Sequence, residues 1–105
     1  MSESKRARAI TILVVEDEPL VREAIAEYLR DAGCAVVEAA TGERAIDICN
    51  SGMEVDVVFT DIQLPGLANG FDVADAFRAA HSDMTIVYAS GNSGNRERCV
   101  SGSFF

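Results

Sequence analysis

The sequence predicts an α/β fold in which helices cover both faces of a doubly wound parallel sheet. The runs 10–15 (ITILVV) and 55–59 (VDVVF) are short, largely apolar and rich in β-branched residues, which is typical of strands buried on both faces. Segments whose apolar residues recur at helical spacing separate such runs. Strands that alternate with helices form βαβ units with right-handed crossovers, and these units build a parallel sheet.

Size and charge indicate one domain and restrict its ligands. The 105 residues are 49% hydrophobic and 25% charged, as in an ordinary folded domain, and two full domains are excluded. We interpret 1–9, which contains the basic residues Lys5, Arg6 and Arg8, as a solvated tail and 10–105 as the domain. The net charge of −8 favours cations and disfavours direct binding of nucleic acid, because proteins neutralise phosphates with Lys and Arg.

Cysteine usage and hydropathy predict a cytoplasmic protein that does not enter the membrane. Cys34, Cys49 and Cys99 form neither a CxxC pair nor a metal-ligand spacing with the lone His81, so we expect reduced thiols. No apolar stretch reaches the roughly 18 residues that a membrane span needs. The run 10–15 is also too short for the core of a signal peptide.

The first βα unit comprises the strand 10–15 and a helix that starts near Pro19, a residue suited to a first helical turn. Three acids, Glu16 to Glu18, stand between them. Gly33 is expected to end the helix. The apolar residues at helical spacing are Val21, Ala24, Ile25, Tyr28 and Leu29.

The second unit begins with a weaker strand at 34–39, which we expect at a sheet edge. Thr41 is the predicted N-cap of a helix that ends at Gly52. The valine-rich run 55–59 then provides the third strand. Its composition predicts a central position in the sheet.

The last part of the chain is predicted to add one helix and one full strand. A third helix carries an apolar stripe, and 84–89 (MTIVYA) reads as a fourth strand. A short, poorly marked helix is expected around 95–100, and 103–105 is compatible with the start of a fifth strand. The stripe of the third helix consists of Val73, Ala76, Phe77 and Ala80.

Asp61 is the residue on which the functional interpretation depends. It directly follows the third strand and precedes turn residues, namely Pro65, Gly66 and Gly70. The carboxylate is therefore expected at the carboxyl end of a central strand, where open α/β sheets bind ligands. The alternative is that Asp61 only caps the turn, since Asp is a common turn former.

Polar side chains at three strand ends predict a cation site. Glu16 and Asp17 follow the first strand, Asp61 the third and Ser90 the fourth. Gathered carboxylates repel one another, and an open site of hard oxygen ligands suits Mg²⁺. The ion would attract a phosphate-bearing molecule, and a carboxylate could then form an aspartyl phosphate.

Each of these residues also has a purely structural interpretation. The acids Glu16 to Glu18 could complement the dipole of the helix that follows. Ser90 could be an ordinary loop serine, and His81 could be a terminal charge or cap of the third helix. The large aromatic side chains are expected in the core. These are Phe71, Phe77 and Tyr88.

The combined pattern resembles the receiver domain of two-component response regulators. The matching segments are 12–19 (ILVVEDEP), 61–66 (DIQLPG) with the later Gly70, and 87–91 (VYASG). Together with the helices between them, they cover nearly the whole chain. The resemblance implies a parallel sheet of strand order 2-1-3-4-5, the flavodoxin-like arrangement.

The resemblance also implies a role for each site residue. Asp61 would be the phosphoacceptor and a metal ligand. Asp17 would bind Mg²⁺ directly, Glu16 directly or through water, and Gln63 through its backbone carbonyl. Ser90 would donate a hydrogen bond to the phosphoryl group and reorient toward it.

The implied partners are a sensor histidine kinase or phosphotransfer protein, which donates the phosphoryl group, and a downstream protein target. The domain would assist its own phosphorylation and dephosphorylation and would not otherwise be an enzyme.

Two departures from the family pattern lead to further expectations. The loop from Asp61 to Gly70 is one residue longer than the commonest pattern, which affects the path into the third helix. The family also carries a Lys at the end of its fifth strand, followed by a fifth helix, and no residue here matches that Lys. We therefore expect a truncated fifth strand, no fifth helix and self-association through the incomplete sheet edge.

Three other interpretations compete with the receiver domain. In a haloacid-dehalogenase-like phosphatase, the nucleophile would be the first Asp of a D-x-D pair after the first strand. This chain has Glu16, Asp17 and Glu18 at that position. A flavodoxin-like FMN carrier would have a phosphate loop rich in Ser, Thr and Gly at that position. The main rival is a receiver-fold interaction module that is phosphorylated poorly or never.

Overall fold

The computed structural model describes residues 9–89 and 103–104 and confirms the doubly wound α/β fold. Its strands are β1 (Thr11–Val15), β2 (Ala35–Ala39), β3 (Val57–Asp61), β4 (Thr85–Ala89) and β5 (Ser103–Phe104). Its helices are α1 (Pro19–Asp31), α2 (Gly42–Asn50) and α3 (Gly70–Ala80). Within the described residues, the strands form a parallel sheet of order β2-β1-β3-β4-β5, as predicted.

Strand register brings the predicted site residues to one edge of the sheet. Val15, the last residue of β1, pairs with Thr60, and Asp61 pairs with Ala89 at the end of β4. The carboxyl ends of β1, β3 and β4 therefore lie side by side. β3 is central and β2 is at the edge, as expected from the apolar run of one and the weaker pattern of the other.

Helices α2 and α3 cover one face of the sheet and build the main core. Alternate strand residues, such as Leu13, Val58 and Ile86, pack there against Val73 and Phe77. The aromatic residues Phe71, Phe77 and Tyr88 are buried, which confirms their assignment to the core. The buried members of the cluster are Leu13, Val15, Ala39, Ala45, Ile48, Val58, Ile62, Phe71, Val73, Ala74, Phe77, Met84, Ile86 and Tyr88.

Helix α1 contacts β1 and β2 and contributes no residue to that core cluster. Pro19 occupies its first turn, and Gly33, with φ at 96°, follows its end, as predicted. The predicted apolar stripe is only partly buried, because Val21 is 45% exposed and Tyr28 is 74% exposed. The fully buried residue of α1 is Ala26.

Side-chain caps define where α2 and α3 begin. Thr41 is the N-cap of α2, as predicted, and its Oγ1 accepts a hydrogen bond from the Arg44 amide at 3.0 Å. Helix α3 starts with a reciprocal capping box formed by Asn69 and Asp72. His81 is the C-cap residue of α3, and its amide donates to the Phe77 carbonyl, which fits the structural interpretation of this histidine.

The described part of β5 contains two residues, which pair with Ile86 and Val87 of β4. The rest of the predicted fifth-strand region, and with it the expected truncation, lies outside the described residues. The helix predicted around 95–100, the serine at position 90 and nearly all of the predicted tail 1–9 lie outside the described residues. Among the residues described, no helix has the length and apolar character of a membrane span.

Candidate metal centre

Asp61 is the last residue of the central strand β3 and is half-buried at the carboxyl edge of the sheet. Its Oδ1 accepts a hydrogen bond from the Ile62 amide at 2.9 Å. This bond fixes the orientation of the carboxylate. The donor is the first residue of the loop after β3, so this bond by itself also fits the turn interpretation of Asp61.

Glu16 and Asp17 directly follow β1, beside Asp61. Glu16 is only 8% exposed, and its amide continues the β1–β2 ladder by donating to the Ala39 carbonyl at 3.1 Å. Its Oε2 accepts a hydrogen bond from the Glu18 amide at 3.0 Å. Asp17 is exposed. One carboxylate of the pair is thus enclosed by the fold and the other faces solvent.

The three acids form a single group, as the sequence predicted. One ligand atom each from Glu16, Asp17 and Asp61 can be chosen so that all lie within 4.8 Å of one another. Burial, and after it the charges of Asp61 and Asp17, raise the pKa of Glu16 above its ordinary value. Burial, and after it the charge of Asp17, raises the pKa of Asp61. Crowded carboxylates with raised pKa values favour a proton or a cation, and this donor set fits Mg²⁺.

Glu18 has a different role from the two acids before it. It is the N-cap of α1, and its side chain accepts from the Leu20 amide at 3.0 Å. The helix-terminus interpretation of the acidic run therefore holds for Glu18, while Glu16 and Asp17 turn toward Asp61.

Arg22 supports the acidic turn and was not singled out from the sequence. Its Nη1 donates to the Glu16 carbonyl oxygen at 2.9 Å, and its Nε lies 3.3 Å from Oε1 of Glu38 on β2. The arginine thus binds the backbone of the turn without neutralising the Glu16 carboxylate. Its position on the polar side of the predicted helix was the only sequence signal.

The loop between β3 and α3 returns tightly to the end of β3. The Gly70 amide donates to the Ile62 carbonyl at 2.8 Å, and a Cβ at Gly70 would collide with the Asp61 carbonyl oxygen. Gly70 therefore allows α3 to begin directly against the strand end. Gln63, which follows Asp61 by two residues at the start of this loop, is exposed.

A second anchor of this loop was also missed in the sequence. Glu43, in the first turn of α2, accepts hydrogen bonds from the backbone of the loop. An acid near a helix start is usually assigned to that helix alone, so its spacing did not indicate a contact with a loop more than 20 residues later.

The fold and this geometry agree with the comparisons to known proteins. The model of the response regulator receiver domain family matches residues 12–101. This chain belongs to that family. The family assignment replaces the phosphatase and FMN-carrier interpretations.

The chain aligns with a small part of each of two curated relatives. The cyclic di-GMP phosphodiesterase of Thermotoga maritima is 35% identical over 77 residues, and the sensor kinase CckA of Brucella abortus is 37% identical over 82 residues. The alignments cover 73% and 77% of this chain but only 20% and 9% of those relatives. The chain thus spans a minor share of their length.

Solved receiver structures match nearly the whole chain. A response regulator receiver protein from Sinorhizobium medicae is 33% identical with a TM-score of 0.87, covering 93% of this chain and 82% of the other. The response regulator TrrA from Thermotoga maritima, solved in complex with Mg²⁺-BeF, is 34% identical with a TM-score of 0.81, covering 90% and 84%. This receiver domain therefore resembles a structure that was solved with magnesium.

Proposed function

We propose that this receiver domain accepts a phosphoryl group on Asp61, with Mg²⁺, from the phosphohistidine of a sensor histidine kinase or phosphotransfer protein. The observation that carries the proposal is the convergence of Glu16, Asp17 and Asp61 within 4.8 Å at one strand edge. The relatives include sensor kinases, such as the autoinducer 1 sensor kinase/phosphatase LuxN of Vibrio harveyi.

Four groups of this chain would hold the metal ion. They are the carboxylates of Glu16, Asp17 and Asp61 and the backbone carbonyl of Gln63. When bound, Mg²⁺ neutralises charge on the transferring phosphoryl group and screens the acids that surround the acceptor. The raised pKa values of Glu16 and Asp61 support this assignment, because they reflect the cost of holding these charges in a crowded, partly buried site, which a bound cation would lower.

Asp61 would act as the nucleophile. One of its carboxylate oxygens attacks phosphorus, the phosphorus–nitrogen bond of the phosphohistidine breaks, and the electron pair of that bond remains on the imidazole nitrogen. The Ile62 amide, 2.9 Å from Oδ1, holds the carboxylate in a fixed orientation for this attack. Ser90 would donate a hydrogen bond to a phosphoryl oxygen of the product.

The role in the cell that we propose is signalling. Phosphorylation would change the surface read by a downstream protein target, and the domain would assist its own phosphorylation and dephosphorylation without turning over another substrate. The net charge of −8 argues against direct binding of nucleic acid. We place the reaction in the cytoplasm, in keeping with the free thiols of Cys34 and Cys49.

Intact mass spectrometry tests the proposal. The chain is incubated with the small phosphodonor acetyl phosphate, with Mg²⁺ or with EDTA. We expect one added phosphoryl group that requires Mg²⁺ and disappears in Asp61→Asn. Asp47→Asn, which removes an exposed carboxylate on α2, should be modified like the parent. Modification of Asp61→Asn to the parent level would refute the acceptor assignment, and an unmodified parent would favour the interaction module.

A further inference from the structure

The loop after the acceptor is held at two places. At its end, the Gly70 amide bonds to the Ile62 carbonyl at 2.8 Å, next to Asp61. In its middle, Oε2 of Glu43 accepts hydrogen bonds from the amides of Leu67 at 2.7 Å and Ala68 at 3.3 Å. A single carboxylate oxygen on α2 thus receives two successive backbone donors.

Two glycines allow α2 and the loop to approach this closely. Gly66 has a φ of 87°, and a Cβ there would lie 2.8 Å from Oε2 of Glu43. On the helix side, a Cβ at Gly42 would collide with the Ala68 carbonyl oxygen. Glycine therefore stands on both sides of the contact, which indicates that the Glu43 contact is a specific feature of the packing.

The contact is also maintained by charge. Hydrogen bonds from backbone amides, that of Leu67 first, lower the pKa of Glu43 below its ordinary value. The loop amides thus favour the ionised form of the Glu43 side chain. Hydrogen bonds to an ionised acceptor are stronger than hydrogen bonds to a neutral acceptor.

The held segment continues directly from the proposed metal ligands. Gln63 lies between Asp61 and the amides bound by Glu43, and the intervening Leu64 is half-buried against the core. The bonds to Glu43 restrict the chain on the far side of Leu64. Gln63 therefore lies between two held points of the loop, Ile62 and Leu67.

We infer that Glu43 is a positioning residue for the metal site: its contact with the Leu67 and Ala68 amides holds the loop that carries the proposed ligand Gln63. This inference rests on the proposed function. Glu43 itself touches neither the metal nor the phosphoryl group.

Magnesium titration of three variants tests the inference. The dissociation constant for Mg²⁺ is measured by NMR on the 105-residue chain for the parent, Glu43→Ala, Glu43→Gln and Asp47→Asn. We expect Glu43→Ala to raise it roughly tenfold, the low end for residues that orient metal ligands. Glu43→Gln should give a smaller rise, because its amide oxygen still accepts from the Leu67 amide without the charge.

Asp47→Asn is the matched control for net charge. It removes one negative charge from an exposed position of the same helix, one turn after Glu43. Its effect on the dissociation constant should stay within about twofold, because exposed charges are screened by salt. A long-range electrostatic effect would act on Glu43→Gln and Asp47→Asn alike.

Amide exchange provides a readout that a merely structural role would not change. Mg²⁺ should slow exchange of the Leu67 and Ala68 amides in the parent, because two coupled sites affect each other equally. This Mg²⁺-dependent protection should be lost in Glu43→Ala. If Glu43→Ala fails to fold, Glu43→Gln carries the test through the same two measurements.

The outcomes separate this inference from the proposed function. A parent that binds no Mg²⁺ overturns the metal site and the inference with it. A parent that binds Mg²⁺, with Glu43→Ala and Glu43→Gln matching Asp47→Asn in affinity, overturns the inference alone. A lower melting temperature of the Glu43 variants with an unchanged dissociation constant also overturns it, since Glu43 would then only stabilise the fold.

Discussion

Replacing the acceptor should stabilise the metal-free protein. Asp61→Asn keeps the shape of the side chain and the oxygen that accepts from the Ile62 amide, but it removes one of three crowded charges. Its partners Glu16 and Asp17 have ligand atoms within 4.8 Å. The variant therefore relieves repulsion that exists only when the strand ends are assembled.

The size of the effect follows from this separation. At 4.8 Å, the upper limit of the separations among the three acids, two unit charges repel by about 0.9 kcal/mol at the dielectric constant of water and by about 3.5 kcal/mol at an effective value of about 20. Asp61 is half-buried and Asp17 is exposed, so we expect a net gain near the lower limit, about 1 kcal/mol. For a domain of this size, that gain raises the melting temperature by about 4–8 °C.

Thermal unfolding in EDTA and in Mg²⁺ measures the effect. In EDTA, Asp61→Asn should melt above the parent, and Asp47→Asn should melt close to it. Mg²⁺ at ten times its dissociation constant should stabilise the parent by about 1.4 kcal/mol and the variant by much less. The reasoning is refuted if Asp61→Asn melts below the parent in EDTA, or if Mg²⁺ shifts both proteins equally.

Three further predictions follow from the same geometry. Burial, with the charge of Asp17, raises the pKa of Glu16 and of Asp61, so protonation should relieve the crowded site and raise stability as the pH falls from about 7 toward about 4.5. Urea unfolding in EDTA should show this gain in the parent and a smaller gain in Glu16→Gln, and equal gains would contradict it. Gly70→Ala should lower the free energy of unfolding by about 1–3 kcal/mol and reduce the rise in melting temperature on adding Mg²⁺, because its Cβ collides with the Asp61 carbonyl oxygen. The control Gly33→Ala, at an open position with φ at 96°, should lower the melting temperature but keep the Mg²⁺-induced rise. Loss of that rise in both variants would be evidence against the argument. Within the described part of the chain, β5 is an edge strand of the sheet, and the unpaired backbone groups of an edge can bind another chain. Self-association through this edge therefore stays a prediction, and sedimentation that is independent of concentration would count against it.

The sequence was enough to predict the strands, their order through the family resemblance, and the meeting of the acids. Apolar β-branched runs specify buried strands by composition alone, and parallel strands place their carboxyl ends at one edge. Asp61 therefore had to lie beside the residues that follow β1. The N-cap Thr41 and the first-turn residue Pro19 were equally local signals, because a helix start depends on a few adjacent residues.

Tertiary structure decided which residues of each pattern perform which task. Helical spacing could not show that Tyr28 would be 74% exposed while Ala26 is buried, because spacing defines a helix face but not the surface that covers it. The division of the acidic run also required the fold: Glu18 caps α1, whereas Glu16 is enclosed beside Asp61.

The contact between Glu43 and the loop shows most clearly what sequence alone left undetermined. Leu67 lies 24 positions from Glu43, and its amide carries no side-chain signal that a pattern could detect. Only the packing of α2 beside the β3–α3 loop, permitted by Gly42 and Gly66, brings donor and acceptor together. Local sequence thus determined the elements and the acidic residues, while the fold determined how the loop beside Asp61 is held, because that depends on backbone groups common to every residue.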